Sequence, residues 1–97
     1  MREREVEAYL VRLVKALGGD VRKVKWIGRV GAPDRLVLFR AAHFLVELKR
    51  PKGGILEAHQ VREHARLRKA GFNVYVLETQ EDIDVVLSYY RDRSLAS

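Results

Sequence analysis

Cysteine is absent from this chain. That excludes disulfide staples and thiolate-held metals, and it agrees with a reducing compartment. No apolar run approaches the roughly 18 residues that a membrane span requires. The N-terminus, Met1-Arg2-Glu3-Arg4-Glu5, is charged and has no apolar stretch behind it, so neither a secretory leader nor a membrane partner is expected. Proline occurs only at 33 and 51, and tryptophan only at 26. There is no internal repeat, low-complexity tract or linker-like stretch.

What is present suits one small folded unit. The 97 residues are 47% hydrophobic, too apolar for disorder and short enough to be a single domain over 1–97. A chain of this size buries one modest core, and association often helps it. Nineteen Lys and Arg oppose thirteen Asp and Glu, a net charge of +6. Such an excess favours polyanionic partners.

Val6, Leu10, Leu13, Val14 and Leu17 recur at helical spacing before Gly18-Gly19, which predicts a helix over 3–17. Basic and apolar residues alternate over 21–27, as in a strand, and 28–33 holds two glycines and a proline, as in a loop. Strands over 35–39 and 44–49, joined by 40–43, form a hairpin. A helix over 56–70 closes at Gly71, without the Ser or Thr expected at its start. A strand over 72–77 and a helix over 81–90, striped by Ile83, Val86, Leu87 and Tyr90, complete the order αβββαβα. That order implies an α/β protein with a mixed central sheet flanked by helices.

The hairpin raises a question. Asp34 enters its first apolar run, Glu47 lies within its second and Lys49 leaves it, although unpaired buried charge is costly. Pairing Phe39 with Phe44 sets Asp34 across from Lys49 and diagonal to Glu47, with Glu47 and Lys49 on one face. Two carboxylates beside an ammonium suit a hard cation such as Mg²⁺. Such an ion activates water and neutralises phosphoryl charge, while the ammonium stabilises charge that develops during reaction. The same residue types also suit a structural ion pair at a sheet edge.

Pro33-Asp34, thirteen positions before Glu47-x-Lys49, resembles the PD-(D/E)xK nuclease superfamily. The blocks "GAPDRLVL", "FLVELKRPKGG", Gln60 and "LRKAGFNVYVLET" resemble, more narrowly, the VRR-NUC domain, from about Glu7 to about Leu87. The resemblance implies a restriction-endonuclease-like core and a Mg²⁺- or Mn²⁺-dependent DNA endonuclease. On it, Asp34 and Glu47 are metal ligands, Lys49 is the catalytic lysine and the Leu48 backbone carbonyl also faces the metal. Glu7 becomes an accessory ligand, and Gln60 hydrogen-bonds into the site to hold a ligand or the lysine. Stand-alone members occur in phages and bacteria and resemble Holliday-junction resolvases, which implies a homodimer acting on four-way junctions in the cytoplasm of a bacterial or phage-infected cell.

Arg22, Lys23, Lys25, Arg29, Arg35, Arg50 and Lys52 flank this hairpin in sequence and are candidates for phosphate contacts with little base specificity. No base-reading helix is visible, so recognition by DNA structure is expected; the same residues also suit a nuclease acting on flaps, nicks or linear duplex, or a non-catalytic basic DNA-binding module with a structural acidic cluster. One small subunit offers one site, and symmetric cutting of two strands needs a twofold pair. Trp26, Tyr89 and Tyr90 are candidates for a dimer surface but are expected chiefly in core packing. His43, His59 and His64 are expected as surface or half-buried polar residues, although His64 follows Gln60 by one turn on the same face.

Overall fold

The computed structural model describes residues 2–39, 42–49 and 54–96, with side chains described to residue 93. The elements run α1 (Glu3–Ala16), β1 (Asp20–Lys23), β2 (Arg35–Phe39), β3 (Ala42–Leu48), α2 (Ala58–Lys69), β4 (Val74–Leu77) and α3 (Gln80–Ala96). The sheet has the order β1-β2-β3-β4. Its first two pairings are antiparallel and β3–β4 is parallel. A parallel neighbour requires a crossover, which α2 supplies. The αβββαβα order and the mixed sheet are those expected from the sequence.

Alternation along the strands divides the sheet into two unlike faces. Val37, Phe39, Phe44, Val46, Leu48 and Leu77 turn to one side and pack with Val6, Leu10 and Val14 of α1 and Ile83, Leu87 and Tyr90 of α3. The helix contributions recur at three- and four-residue steps, which is why these segments are helical and why they lie here. Tyr90 stacks on Phe44 at 4.4 Å between ring centres. Its hydroxyl meets that of Tyr75 at 2.8 Å and accepts from Asn73 Nδ2 at 3.0 Å. Tyr90 is therefore a core residue, whereas Tyr89 is half exposed.

The opposite face carries Leu45, Glu47 and Val74 under α2. The residues that α2 buries are Glu63 and His64, not an apolar stripe. One layer of the molecule is thus conventional core, and the other is polar where it meets the sheet.

The boundaries differ from expectation in instructive ways. Phe39 pairs with Ala42, and Val37 pairs with Phe44. This two-residue shift keeps every side chain on its face, matches both apolar rows and leaves the short connection that hairpins favour. Strand β1 ends at Lys23 instead of 27. Val24 N–H still donates to the Asp34 carbonyl at 3.0 Å, but the chain then leaves the sheet for α2. Strand β4 starts at Val74 because Phe72 N–H bonds back to Leu67 O at 3.0 Å, finishing α2. Helix α2 begins at Ala58, where Gln60 Oε1 accepts from Glu57 N–H at 2.9 Å in place of a Ser or Thr cap. Helix α3 runs on past 90 because no proline or glycine interrupts it. Arg50, Lys52 and positions 40 and 41 of the hairpin connection lie outside the described residues. Among the described residues no helix is long and apolar enough to cross a membrane.

Candidate active site

The acidic pair is assembled by the hairpin register. Continued one step past Arg35–Val46, that register sets Asp34 across from Glu47, not across from Lys49 as expected. The two carboxylates are therefore direct neighbours on the face beneath α2. Asp34 is fixed from both sides. Its carbonyl accepts from Val24 N–H, and its Oδ2 accepts from Leu48 N–H at 2.9 Å.

Glu47 is only 2% exposed. Its Oε2 accepts from Gln60 Nε2 at 3.1 Å and lies 3.6 Å from Lys49 Nζ. Its Oε1 has no hydrogen-bond partner among the described residues. Burial pushes the Glu47 carboxyl up to about 7, the nearby Asp34 charge adds to this, and the Lys49 ammonium opposes it. Gln60 joins two structures in one side chain: its oxygen starts α2 and its nitrogen holds Glu47.

His64 departs from the expectation of a surface or half-buried residue. It is 1% exposed, and neither ring nitrogen has a hydrogen-bond partner among the described residues. Its Nε2 lies 3.7 Å from Glu47 Oε1, beyond hydrogen-bond reach. Burial, then the positive charge of Arg68, pushes its pKa down. The signal in the sequence was its four-residue spacing from Gln60, which turns both toward the sheet.

Glu7 is not brought to the acidic pair. It projects from α1 on the other side of the sheet and pairs with the Arg35 guanidinium. That guanidinium also donates to Asp34 O at 2.8 Å and is 13% exposed, so Arg35 is tied into the structure rather than presented to solvent. Among the described residues no three His, Asp or Glu side chains gather closely enough to hold one ion. Lys23 and Lys25 are exposed. Arg22 pairs with Asp20 at 2.7 Å, and Arg29 pairs with Glu63 at 3.3 Å.

Glu63 was not singled out from the sequence. It is 4% exposed. Its Oε2 accepts from Trp26 Nε1 at 2.7 Å, and its Oε1 meets Arg66 at 3.1 Å as well as Arg29. This carboxylate ties the 24–34 loop, which ends at Asp34, to the helix that carries Gln60. Gly31 makes that approach possible. Its φ is +97°, and a Cβ there would sit 2.7 Å from the His59 carbonyl oxygen. Nothing local in the sequence marks Glu63, because Trp26 is 37 positions away.

The donors fit a divalent cation. Two neighbouring carboxylates supply hard oxygen ligands. One buried oxygen of Glu47 lacks a partner among the described residues, and burial and the Asp34 charge push the Glu47 carboxyl upward. A cation held by Asp34 and Glu47 would remove both penalties.

Fold and site together define a restriction-endonuclease-like α/β protein, with PD…ExK residues at the open end of the central hairpin. A solved structure described as a VRR_NUC domain matches it with a TM-score of 0.82 and 42% identity, over 91% of this chain and 96% of that one. The protein named "Putative nuclease p44", from Acyrthosiphon pisum secondary endosymbiont phage 1, is 42% identical over 82 residues, 84% of this chain and 87% of its own length. No family model matches the sequence. The chain belongs to the VRR-NUC family.

Proposed function

We propose that this chain is a Mg²⁺- or Mn²⁺-dependent DNA endonuclease that acts on branched DNA, four-way junctions above all, as a homodimer. Nuclease chemistry accords with VRR-NUC membership and with the name of the phage relative. The observation that carries the reading is the pairing of Asp34 with the buried Glu47, with Gln60 and Lys49 both at Glu47 Oε2.

In this reading Asp34 and Glu47 hold the metal, with the Leu48 carbonyl as a third oxygen. When bound, the metal lowers the pKa of a coordinated water and neutralises charge on the phosphoryl group. Gln60 fixes the Glu47 carboxylate by binding the oxygen that faces α2, a role that typically governs metal affinity. The Lys49 ammonium, on the same strand face as Glu47, orients the attacking water and stabilises charge on the scissile phosphate. Glu7 has a lesser part, since it must first leave Arg35. The junction preference and the dimer rest on the one-site, one-strand argument and on the likeness to resolvases.

The test is cleavage of a four-way junction beside a matched duplex, with Asp34→Asn and Lys49→Ala as controls. Paired symmetric nicks at the junction support the full reading. Equal cutting of both substrates retains the chemistry and removes the junction preference.

A further inference from the structure

One flank of α2 faces away from the acidic pair and carries a second charged constellation. A cavity of about 290 Å³ is lined by Arg29, Val30, His59, Arg62 and Arg66. Three arginines line this space. Two of them are held by the buried Glu63, Arg66 at 3.1 Å and Arg29 at 3.3 Å. The Arg62 side chain makes no ion pair or hydrogen bond among the described residues. Arg62 and Arg66 also stand at i and i+4, where like charges repel.

Three arginines against one carboxylate leave the cleft at +2, before any contribution from His59. Each guanidinium carries five N–H donors, and Glu63 engages one nitrogen of Arg29 and one of Arg66. The remaining donors are uncommitted. Glu63 also accepts from Trp26, which fixes the carboxylate and therefore the arginines that lean on it. A rigid fork of donors with excess positive charge is the usual recognition device for a phosphate oxygen pair.

We propose that Arg29, Arg62 and Arg66, held in place by Glu63, form a binding site for a backbone phosphodiester of the DNA strand, separate from the phosphate that is cut. This rests on the nuclease reading above. On α2, Arg62 and Arg66 stand two and six residues beyond Gln60 and on another side of the helix, so the engaged phosphate is a neighbour of the scissile one on the same strand. The cleft thus sets the path of the strand across α2 and leaves the bases unread.

The test measures binding of a four-way junction and a duplex in Ca²⁺ across a salt series, with single-turnover cleavage in Mn²⁺ beside it. The proteins are wild type, Arg62→Ala, Arg62→Ala/Arg66→Ala and the control Arg12→Ala on α1. Arg62 has no structural partner, so its variant keeps the fold even where the double variant does not. The expected result is a salt slope reduced by about one for Arg62→Ala, a roughly tenfold weaker affinity and an unchanged cleavage rate at saturating DNA. A neutral methylphosphonate walked along the strand is expected to weaken wild type at one position near the cut and to leave Arg62→Ala unaffected there. Loss no greater than that of Arg12→Ala, with no position distinguishing the variant from wild type, overturns the cleft while wild-type cutting keeps the nuclease reading. A wild type that neither binds nor cuts DNA overturns both.

Discussion

At the scale of single residues, the site is one buried acid surrounded by unequal partners. One oxygen of Glu47 has Gln60 and Lys49, and the other has none among the described residues. This has a consequence for stability without metal. The Glu47 carboxyl is pushed from 4.5 up to about 7, so the folded chain retains a proton that the unfolded chain releases in that window. The stabilising contribution is complete below about pH 4.5 and is lost as pH rises through about 7. The full difference is up to about 3 kcal/mol at 1.36 kcal/mol per pH unit. Urea melts in EDTA at pH 5 and pH 7.5 are expected to show wild type falling relative to Glu47→Gln, because the lowered pKa of buried His64 adds a rise with pH to both proteins. An equal change in both would assign it to other groups. His64 gives a second expectation. Its nitrogens are buried without partners, and an unsatisfied buried polar group costs roughly 1–3 kcal/mol. His64→Leu is therefore expected to keep or raise the melting temperature in EDTA; a marked drop would mean that the imidazole has a partner in solution.

At the scale of elements, the hairpin and α2 share the work. The hairpin sets the acidic pair on a rigid sheet, and α2 supplies the polar cover. The loop over 24–34 connects them, with Trp26 on Glu63 at one end and Asp34 at the other. Trp26→Phe removes one hydrogen bond to a charged acceptor, worth about 1.5–3 kcal/mol, and is expected to lower both melting temperature and cleavage. Gly31→Ala is expected to cost more, about 2–4 kcal/mol, from a strained positive φ and a clash with the His59 carbonyl. If thermal melts show Gly31→Ala unchanged, the loop does not pack on α2 as described. The sequence made the elements legible because the stripes of α1 and α3 and the apolar runs of β2 and β3 are strong periodic signals. The faces of Asp34 and Glu47 were legible as well, since a two-residue slip preserves them. The register itself was not legible, because parity constrains faces but not the partner across the strand. Glu63 was hidden for another reason: α2 has no apolar stripe to mark its buried face, and the Trp26 and Arg29 contacts to Glu63 come from a distant segment.

At the scale of the whole molecule, one sheet separates two kinds of chemistry. The face against α1 and α3 is apolar and supplies the core. The face against α2 holds the acidic pair, Gln60 and His64, and its flank holds the arginine cleft. Stability can therefore come from one side while the polar constellation occupies the other. A cation bound only by the folded state raises stability by about 2.7 kcal/mol at one hundred times its dissociation constant. Thermal melts are expected to rise with Mn²⁺ for wild type and not for Asp34→Asn. Wild type that does not respond to saturating Mn²⁺ would count against a metal centre. Ile27 and Ile55, 97% and 74% exposed, leave apolar surface beyond the core, and sedimentation equilibrium is expected to give twice the chain mass if the proposed dimer forms.

The most direct test of the Asp34–Glu47–Lys49 site is cleavage of a four-way junction with Mg²⁺, Mn²⁺ or EDTA, by wild type and by Lys49→Ala. The proposed chemistry requires cutting with either metal, none in EDTA, and a loss of at least about a hundredfold in the variant. Cutting that persists in EDTA, or that survives Lys49→Ala undiminished, would contradict it.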